Sequence, residues 1–375
     1  MTTKMHGLLD VGQSVWLDYL HRRMTRSGEL RALIDDGLRG MTSNPTIFEH
    51  AIGGGSDYDD QLSELTSSPR TDRDIFETVA IEDVREAADL FRGVYDSTNG
   101  GDGFVSLEVS PTLARDTEGS VIEARRLWKT VNRPNVMIKI PGTREGWPAI
   151  KRCLTEGINI NITLLFSVEH YRAVAEAYLR ALETRIARAE SIDTLSSVAS
   201  VFVSRVDTEV DKRIQAQGDS LLELRGKVAI ASARLAYATF LEITQSTRWQ
   251  ALEAKGAKKQ RLLWASTGTK NPEYSDVLYV GSLIGPDTIV TVPPETLKLF
   301  EHHGSITPTL GGDQLRDARR VMDVLADGGM DFRDVNRTLE EEGIEKFARS
   351  FERLLQVVAE KREVLSRRSA SQSRT

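Results

Sequence analysis

Eight short, nearly continuous apolar segments recur along the chain, each followed by residues with helical spacing, and this alternation limits the fold more than any other feature. They are Ser14–Asp18, Arg39–Asn44, Gly103–Val109, Val136–Pro141, Ile158–Leu165, Val198–Ser204, Arg261–Ser266 and Thr288–Val292. Strands buried on both faces read as apolar runs, and helices between consecutive strands make the sheet parallel. Eight such units fit a closed (β/α)8 TIM barrel better than an open sheet. The intervening helices are credible on their own: in Val121–Lys129 the apolar positions 121, 124, 127 and 128 share one face, and Asp116 and Glu118 suit a helix N-terminus.

A chain of 375 residues has room for two or three domains or for one enlarged barrel. The sequence shows no repeat and no Pro/Gly/Ser-rich linker, so residues 1–368 are expected to form one catalytic domain and 369–375 a flexible polar tail. Tyr58–Asn99 is too long for a simple crossover and reads as several helices after the second strand. Gln314 to about Leu365 reads as further helix beyond the eighth. The pattern does not say whether that last region covers the barrel mouth or meets another subunit.

Composition excludes several classes. Hydrophobic residues at 40% and charged residues at 28% describe a folded, soluble chain. A net charge of −6 has the wrong sign for gripping a phosphate backbone over an extended surface, so nucleic acid is not an expected partner. No run approaches a membrane span and the N-terminus lacks a secretory pattern, which predicts a cytoplasmic protein without a membrane partner. The single cysteine, Cys153, lies in a helical pattern and reads as a small core residue. Phosphate-loop, dinucleotide-binding and zinc-helix motifs are absent, and Gly53–Gly55 reads as a turn. His302 and His303 are neighbours that should diverge on a helix, and no metal is expected.

Against this apolar background a few polar residues stand out. Lys139 sits among apolar residues in Val136–Pro141. Burial disfavours the charged amine and makes it a better nucleophile toward carbonyls, which is Schiff-base chemistry; a buried ion pair is the alternative reading. Asp18, Asn44, Glu108, Asn161, Thr163 and Ser200 also interrupt apolar strands or end them, where barrel enzymes carry their catalytic groups. Strand alternation puts Asn161 and Thr163 on one face, either at the barrel mouth or in a hydrogen-bonded core layer. Asp18 and Glu108 could divide acid–base work if one stays ionised while the other is desolvated. Arg205 and the Ser266–Lys270 turn suggest a phosphate handle.

These residues resemble the transaldolase family. The likeness runs in order through Gly40–Phe48, Val105–Val109, Met137–Pro141, Gly157–Ser167, Phe202–Arg205 and Leu263–Thr267, and the insertion after the second strand, with Trp264–Pro272, is most similar to the actinobacterial and cyanobacterial branch. The resemblance implies a cofactor-free transfer of a dihydroxyacetone unit between sugar phosphates, with Lys139 as the Schiff-base lysine. By the same likeness, Asp18 would move the proton in carbon–carbon cleavage, and Glu108 and Thr163 would hold the water used in dehydration. Asn44 and Asn161 would bind donor hydroxyls, Thr42, Ser200 and Phe202 would line the pocket, and Arg205 and Ser266 would hold the phosphate. Common members carry a second phosphate-binding arginine shortly after the serine matching Ser266, where the local sequence here offers Lys270 instead, and the first strand follows the family pattern least. The expected assembly is a monomer or homodimer. Alternatives are a fructose 6-phosphate aldolase, which Glu108 opposes because small members carry glutamine there, and an inactive barrel that only binds.

Overall fold

The computed structural model describes residues 3–66, 69–217 and 219–372. Eight parallel strands close into a barrel in chain order: β1 (Gln13–Asp18), β2 (Leu38–Thr42), β3 (Phe104–Glu108), β4 (Val136–Pro141), β5 (Ile160–Leu165), β6 (Ser197–Phe202), β7 (Arg261–Ala265) and β8 (Thr288–Val292). Closure is made by β1 against β8, with Gln13 opposite Thr288 and Trp16 opposite Thr291. Apart from part-exposed residues such as Asp18, Arg39, Glu108 and Arg261, strand residues are buried, as expected where helices cover the outside and side chains fill the inside.

Strand ends shift where a side chain takes over from the ladder. β5 begins at Ile160 rather than Ile158, because the Asn159 amide donates to the Pro134 and Val136 carbonyls and accepts from the Ser196 N–H. β6 ends at Phe202, since Ser204 already opens the helix Ser204–Gln217. β2 ends at Thr42, and Asn44 caps the helix Pro45–Gly53 by accepting from the Ile47 N–H. The predicted turn begins at the end of this helix, where Gly54 N–H returns to the His50 carbonyl.

Inside the barrel the side chains form layers. Ser14, Trp16 and Asp18 alternate onto one face of β1. Ser14, Asp102 and Arg261 form a buried polar cluster at the lower end, and Trp16 donates its indole N–H to Asp102 at 2.7 Å. The fully buried Trp16 ring fits because Gly40 faces it without a side chain: a Cβ there would lie 2.5 Å from the ring.

The stretch after β2 holds the helices Pro45–Gly53, Asp59–Thr66 and Asp72–Ser97, the last opened by a Thr71/Asp74 capping box. The predicted helix around Val121 spans Thr117–Val131, with Val121, Ala124 and Leu127 buried and Asp116 as its cap. Cys153 is fully buried, which pushes its thiol up to about 12. Beyond β8 come Pro294–His303, Gly312–Asp327 and the 41-residue helix Phe332–Gln372. That last helix lies over the C-terminal end of the barrel. It is held by Ser350 to Thr46 at 3.0 Å, Arg353 to Glu49 at 3.1 Å, Lys361 to Asp59 at 2.6 Å and Arg362 to Asp72 at 3.1 Å. Its end includes residues 369–372 of the expected tail; 373–375 lie outside the described residues. Among the described residues no helix is long and apolar enough to cross a membrane.

Gly40→Ala should force the Trp16 ring out of register with Asp102 and cost about 1–3 kcal/mol. Urea unfolding of the two proteins side by side measures this, and coincident midpoints would show that the ring can move without penalty.

Candidate active site

A cleft of about 480 Å³ opens at the C-terminal end of the barrel, where inward-facing residues of successive strands converge. Of the predicted residues, Asp18, Thr42, Asn44, Lys139, Thr163, Ser200, Phe202, Arg205 and Ser266 line it, joined by Leu263, Ala265, Thr291 and Phe347. Glu108 sits beside Lys139 across the β3–β4 register. Lys270 is exposed on the loop after β7. Asn161 lies one layer down: its amide donates to Ser106 at 3.0 Å and accepts from Ser200 at 2.7 Å, which is the core-layer arrangement.

Lys139 Nζ stands 3.3 Å from Glu108 Oε2 and donates to the Ser43 carbonyl at 3.1 Å, with both charged side chains at or below 6% exposure. The lysine is therefore in a buried ion pair and also open to the cleft. Burial raises the Glu108 carboxyl above its usual range; the Lys139 charge opposes this and Asp18 adds to it. Neither Glu108 oxygen nor the Thr163 hydroxyl has a hydrogen-bond partner within the protein, so bonding capacity beside the amine remains available to a reactant. Asp18 lies in a more polar setting at the cleft wall, accepting from the Thr42 hydroxyl at 2.8 Å, which in turn contacts Thr291 at 3.2 Å. The two carboxyls thus occupy unlike environments, the condition for dividing acid and base roles.

Arg205 adds a second cation to the cleft lining. Arg205, in the first turn of Ser204–Gln217, lies between the Phe202 and Phe347 rings at 5.1 and 5.4 Å, and its buried Nε has no partner. Burial lowers its pKa, against the pull of Asp18, Glu108 and Glu342. Ser266 takes a left-handed φ of 56°, and its hydroxyl meets that of Ser204 at 2.9 Å. Leu164, beside Thr163, has φ 60° where β5 slips against β6. Two of the six non-glycine residues with positive φ among the described residues thus lie where the site is built. Desolvation, then the charges of Arg205 and Lys346, lower the pKa of Lys270.

Sequence reasoning missed Ser43, Thr291, Lys346 and Phe347. Thr291 interrupts an apolar strand and could have been found by the rule that found Thr163; the other three carry no such signal. His302 and His303 do not diverge. Although successive helical residues differ by about 100°, these exposed rings in a last helical turn rotate together, with Nδ1 atoms 3.4 Å apart, and His303 pairs with Asp276 at 2.8 Å. Among the described residues no group of three or more His, Cys, Asp or Glu could hold a metal ion.

The family profile described as Transaldolase/Fructose-6-phosphate aldolase matches residues 15–358. The chain belongs to the transaldolase/fructose-6-phosphate aldolase family. It is 49% identical over 364 residues to a transaldolase of Saccharopolyspora erythraea, covering 96% of this chain and 98% of that one. It is 44% identical over 374 residues to one from Trichodesmium erythraeum, at 96% and 98% coverage. A Mycobacterium tuberculosis transaldolase is 47% identical over 348 residues, covering 92% and 93%.

In this member of the transaldolase family, the helix that presents Arg205 is pinned from behind. Buried Asp207 accepts from the Ala229 N–H at 2.7 Å and the Tyr279 hydroxyl at 3.0 Å, while Asp211 accepts from Tyr274 at 2.6 Å. Burial, only partly offset by the Ala229 bond and reinforced by Asp211, pushes Asp207 up to about 7. A carboxyl raised on folding contributes stability that is complete below its unfolded value, roughly pH 4, and lost as pH rises through about 7. The stability of Asp207→Asn relative to the parent should therefore increase between pH 5 and pH 8. Paired denaturation curves at the two pH values test this; a constant difference would mean that Asp207 is not the titrating group.

Proposed function

We propose that the chain is a transaldolase that moves a dihydroxyacetone unit from fructose 6-phosphate or sedoheptulose 7-phosphate to erythrose 4-phosphate or glyceraldehyde 3-phosphate, a step of the pentose phosphate pathway, through an imine on Lys139. The observation that carries this reading is the buried Lys139 amine, 3.3 Å from Glu108, in a cleft that Arg205 also lines. A ketose phosphate bound there would place its carbonyl at the lysine and its phosphate at the arginine.

The chemistry follows from the arrangement. From the Lys139–Glu108 ion pair one ammonium proton passes to Glu108, freeing the amine to add to the donor ketone; a second proton moves from the nitrogen to the alkoxide, and Glu108 returns the first to the resulting hydroxyl, which leaves as water that Glu108 and the unpartnered Thr163 hydroxyl can hold, with the protonated imine left on Lys139. The protonated imine then accepts the electron pair of the C3–C4 bond as Asp18 removes the C4 hydroxyl proton, and the product aldehyde departs. Reversal on an acceptor aldehyde forms the new bond, with Asp18 returning the proton to the nascent hydroxyl, and hydrolysis frees Lys139. Thr42 orients Asp18 through its 2.8 Å bond. Asn44 and Ser200 supply bonds to donor hydroxyls, with Asn161 orienting Ser200 from the layer beneath, Phe202 shapes the wall, and Arg205, Ser266 and Lys270 bind the phosphate. The imine is itself the electron sink, so this reading calls for neither metal nor organic cofactor. The reading places the enzyme in the cytoplasm with residues 1–368 acting as one catalytic domain, supported by a hydrophobic cluster that runs from Met5 to Leu365.

Incubation with fructose 6-phosphate alone, borohydride reduction and peptide mapping should find a dihydroxyacetone-sized adduct on Lys139. Modification elsewhere, or none on folded protein, would overturn the reading. Lys139→Arg keeps the charge but cannot form the imine, so turnover should vanish while the thermal midpoint stays near that of the parent. Glu108→Gln should lower kcat by about a hundredfold or more. Turnover without an acceptor as fast as with one would instead favour an aldolase.

A further inference from the structure

The helix Phe332–Gln372 passes close to the barrel mouth at Gly343, where a Cβ would lie 3.0 Å from the Leu164 side chain and 3.8 Å from an Arg205 terminal nitrogen. A residue with a side chain would push this contact apart, which gives a glycine a reason to stand inside a helix. Lys346 and Phe347 follow at three and four positions, on the same face. The Phe347 ring covers the Arg205 guanidinium at 5.4 Å and also lines the cleft. Lys270 reaches the same region from the loop after β7, and neither it, Arg205 nor Lys346 has a carboxylate within salt-bridge distance among the described residues. The Arg205 charge lowers the pKa of Lys346, so the two cations repel one another; Glu342, one turn before Lys346, is the acidic group on this helix whose field reaches Arg205. Three cations held together in a chain of net charge −6 are electrostatically costly unless an anion joins them.

We propose that Lys346 is the third cation of the phosphate site, with Arg205 and Lys270, so that the C-terminal helix takes part in substrate recognition and makes the enzyme selective for dianionic sugar phosphates over neutral sugars. Phe347 is a positioning residue in this scheme, holding the Arg205 fork flat against Phe202. The inference rests on the assignment of Arg205 to the phosphate in the preceding section. It also gives the unsatisfied Arg205 Nε a purpose, since a phosphate can accept from the guanidinium edge that carries it.

Steady-state kinetics with fructose 6-phosphate and erythrose 4-phosphate, and inhibition by inorganic phosphate, test it on the full chain. Lys346→Gln should raise KM for the donor and the phosphate inhibition constant together by about fivefold, with kcat changed less than about twofold. The residual turnover of unphosphorylated fructose should be unaffected, and Lys346→Arg should restore the parent values. If Lys346→Gln leaves KM and phosphate inhibition unchanged while Arg205→Gln raises both, the helix covers the site without binding and the inference fails while the phosphate assignment stands. If Arg205→Gln changes neither, the assignment itself is wrong and the inference falls with it.

Discussion

Closure of the sheet is the constraint on which the rest of the structure depends. Once β8 pairs with β1, every strand has neighbours on both sides and a packed helix outside, so the interior faces form a column of alternating layers. The lower and middle layers are filled by the Ser14–Asp102–Arg261 cluster and by Trp16 over Gly40. The upper end of the column opens into the cleft. That is where Asp18, Lys139 and Thr163 lie, each a strand-face neighbour of a buried residue beneath it. The geometry of the site is therefore a by-product of barrel registration, and groups distant in sequence are held to a fraction of an ångström by the same ladder.

Closure also explains the electrostatic character of the site. Placing Lys139 and Glu108 together at almost full burial requires two desolvations, and their mutual attraction offsets only part of that. The pair stays reactive because neither oxygen of Glu108 is locked in a hydrogen bond. The Phe202 and Phe347 rings lie against the Arg205 guanidinium at 5.1 and 5.4 Å, and aromatic neighbours strengthen a charge-assisted bond by keeping it from bulk water. The cleft thus brings the Lys139 amine and the Arg205 guanidinium together with Asn44, Thr42 and Ser200.

Both the barrel and most of the site were legible in the sequence, for a physical reason: in a strand buried on both faces every residue should be apolar, so Lys139, Asn161 and Thr163 are conspicuous. The same logic misplaced strand ends wherever a side chain replaces the ladder, as Asn159 does below β5 and Asn44 does above β2. It could not tell a polar residue of the packed layer from one of the cleft, because both interrupt the apolar run; Asn161 belongs to the former by its bonds to Ser106 and Ser200. Lys346 and Phe347 were invisible for a different reason. On an amphipathic helix a lysine beside a phenylalanine is ordinary, and only the crossing of that helix over the mouth, set by the approach at Gly343, makes the two meaningful.

The long terminal helix has a kinetic consequence. Its ties join positions such as Thr46 to Ser350 and Asp59 to Lys361, separated by 304 and 302 residues, and barrel closure joins Gln13 to Thr288 across 275. Contacts of such long range form late, after shorter loops have already lost their entropy. A chain that has built its first strands and the helices around them still lacks the wall that Phe347 places over Arg205, so the cleft is completed only when the terminal helix docks.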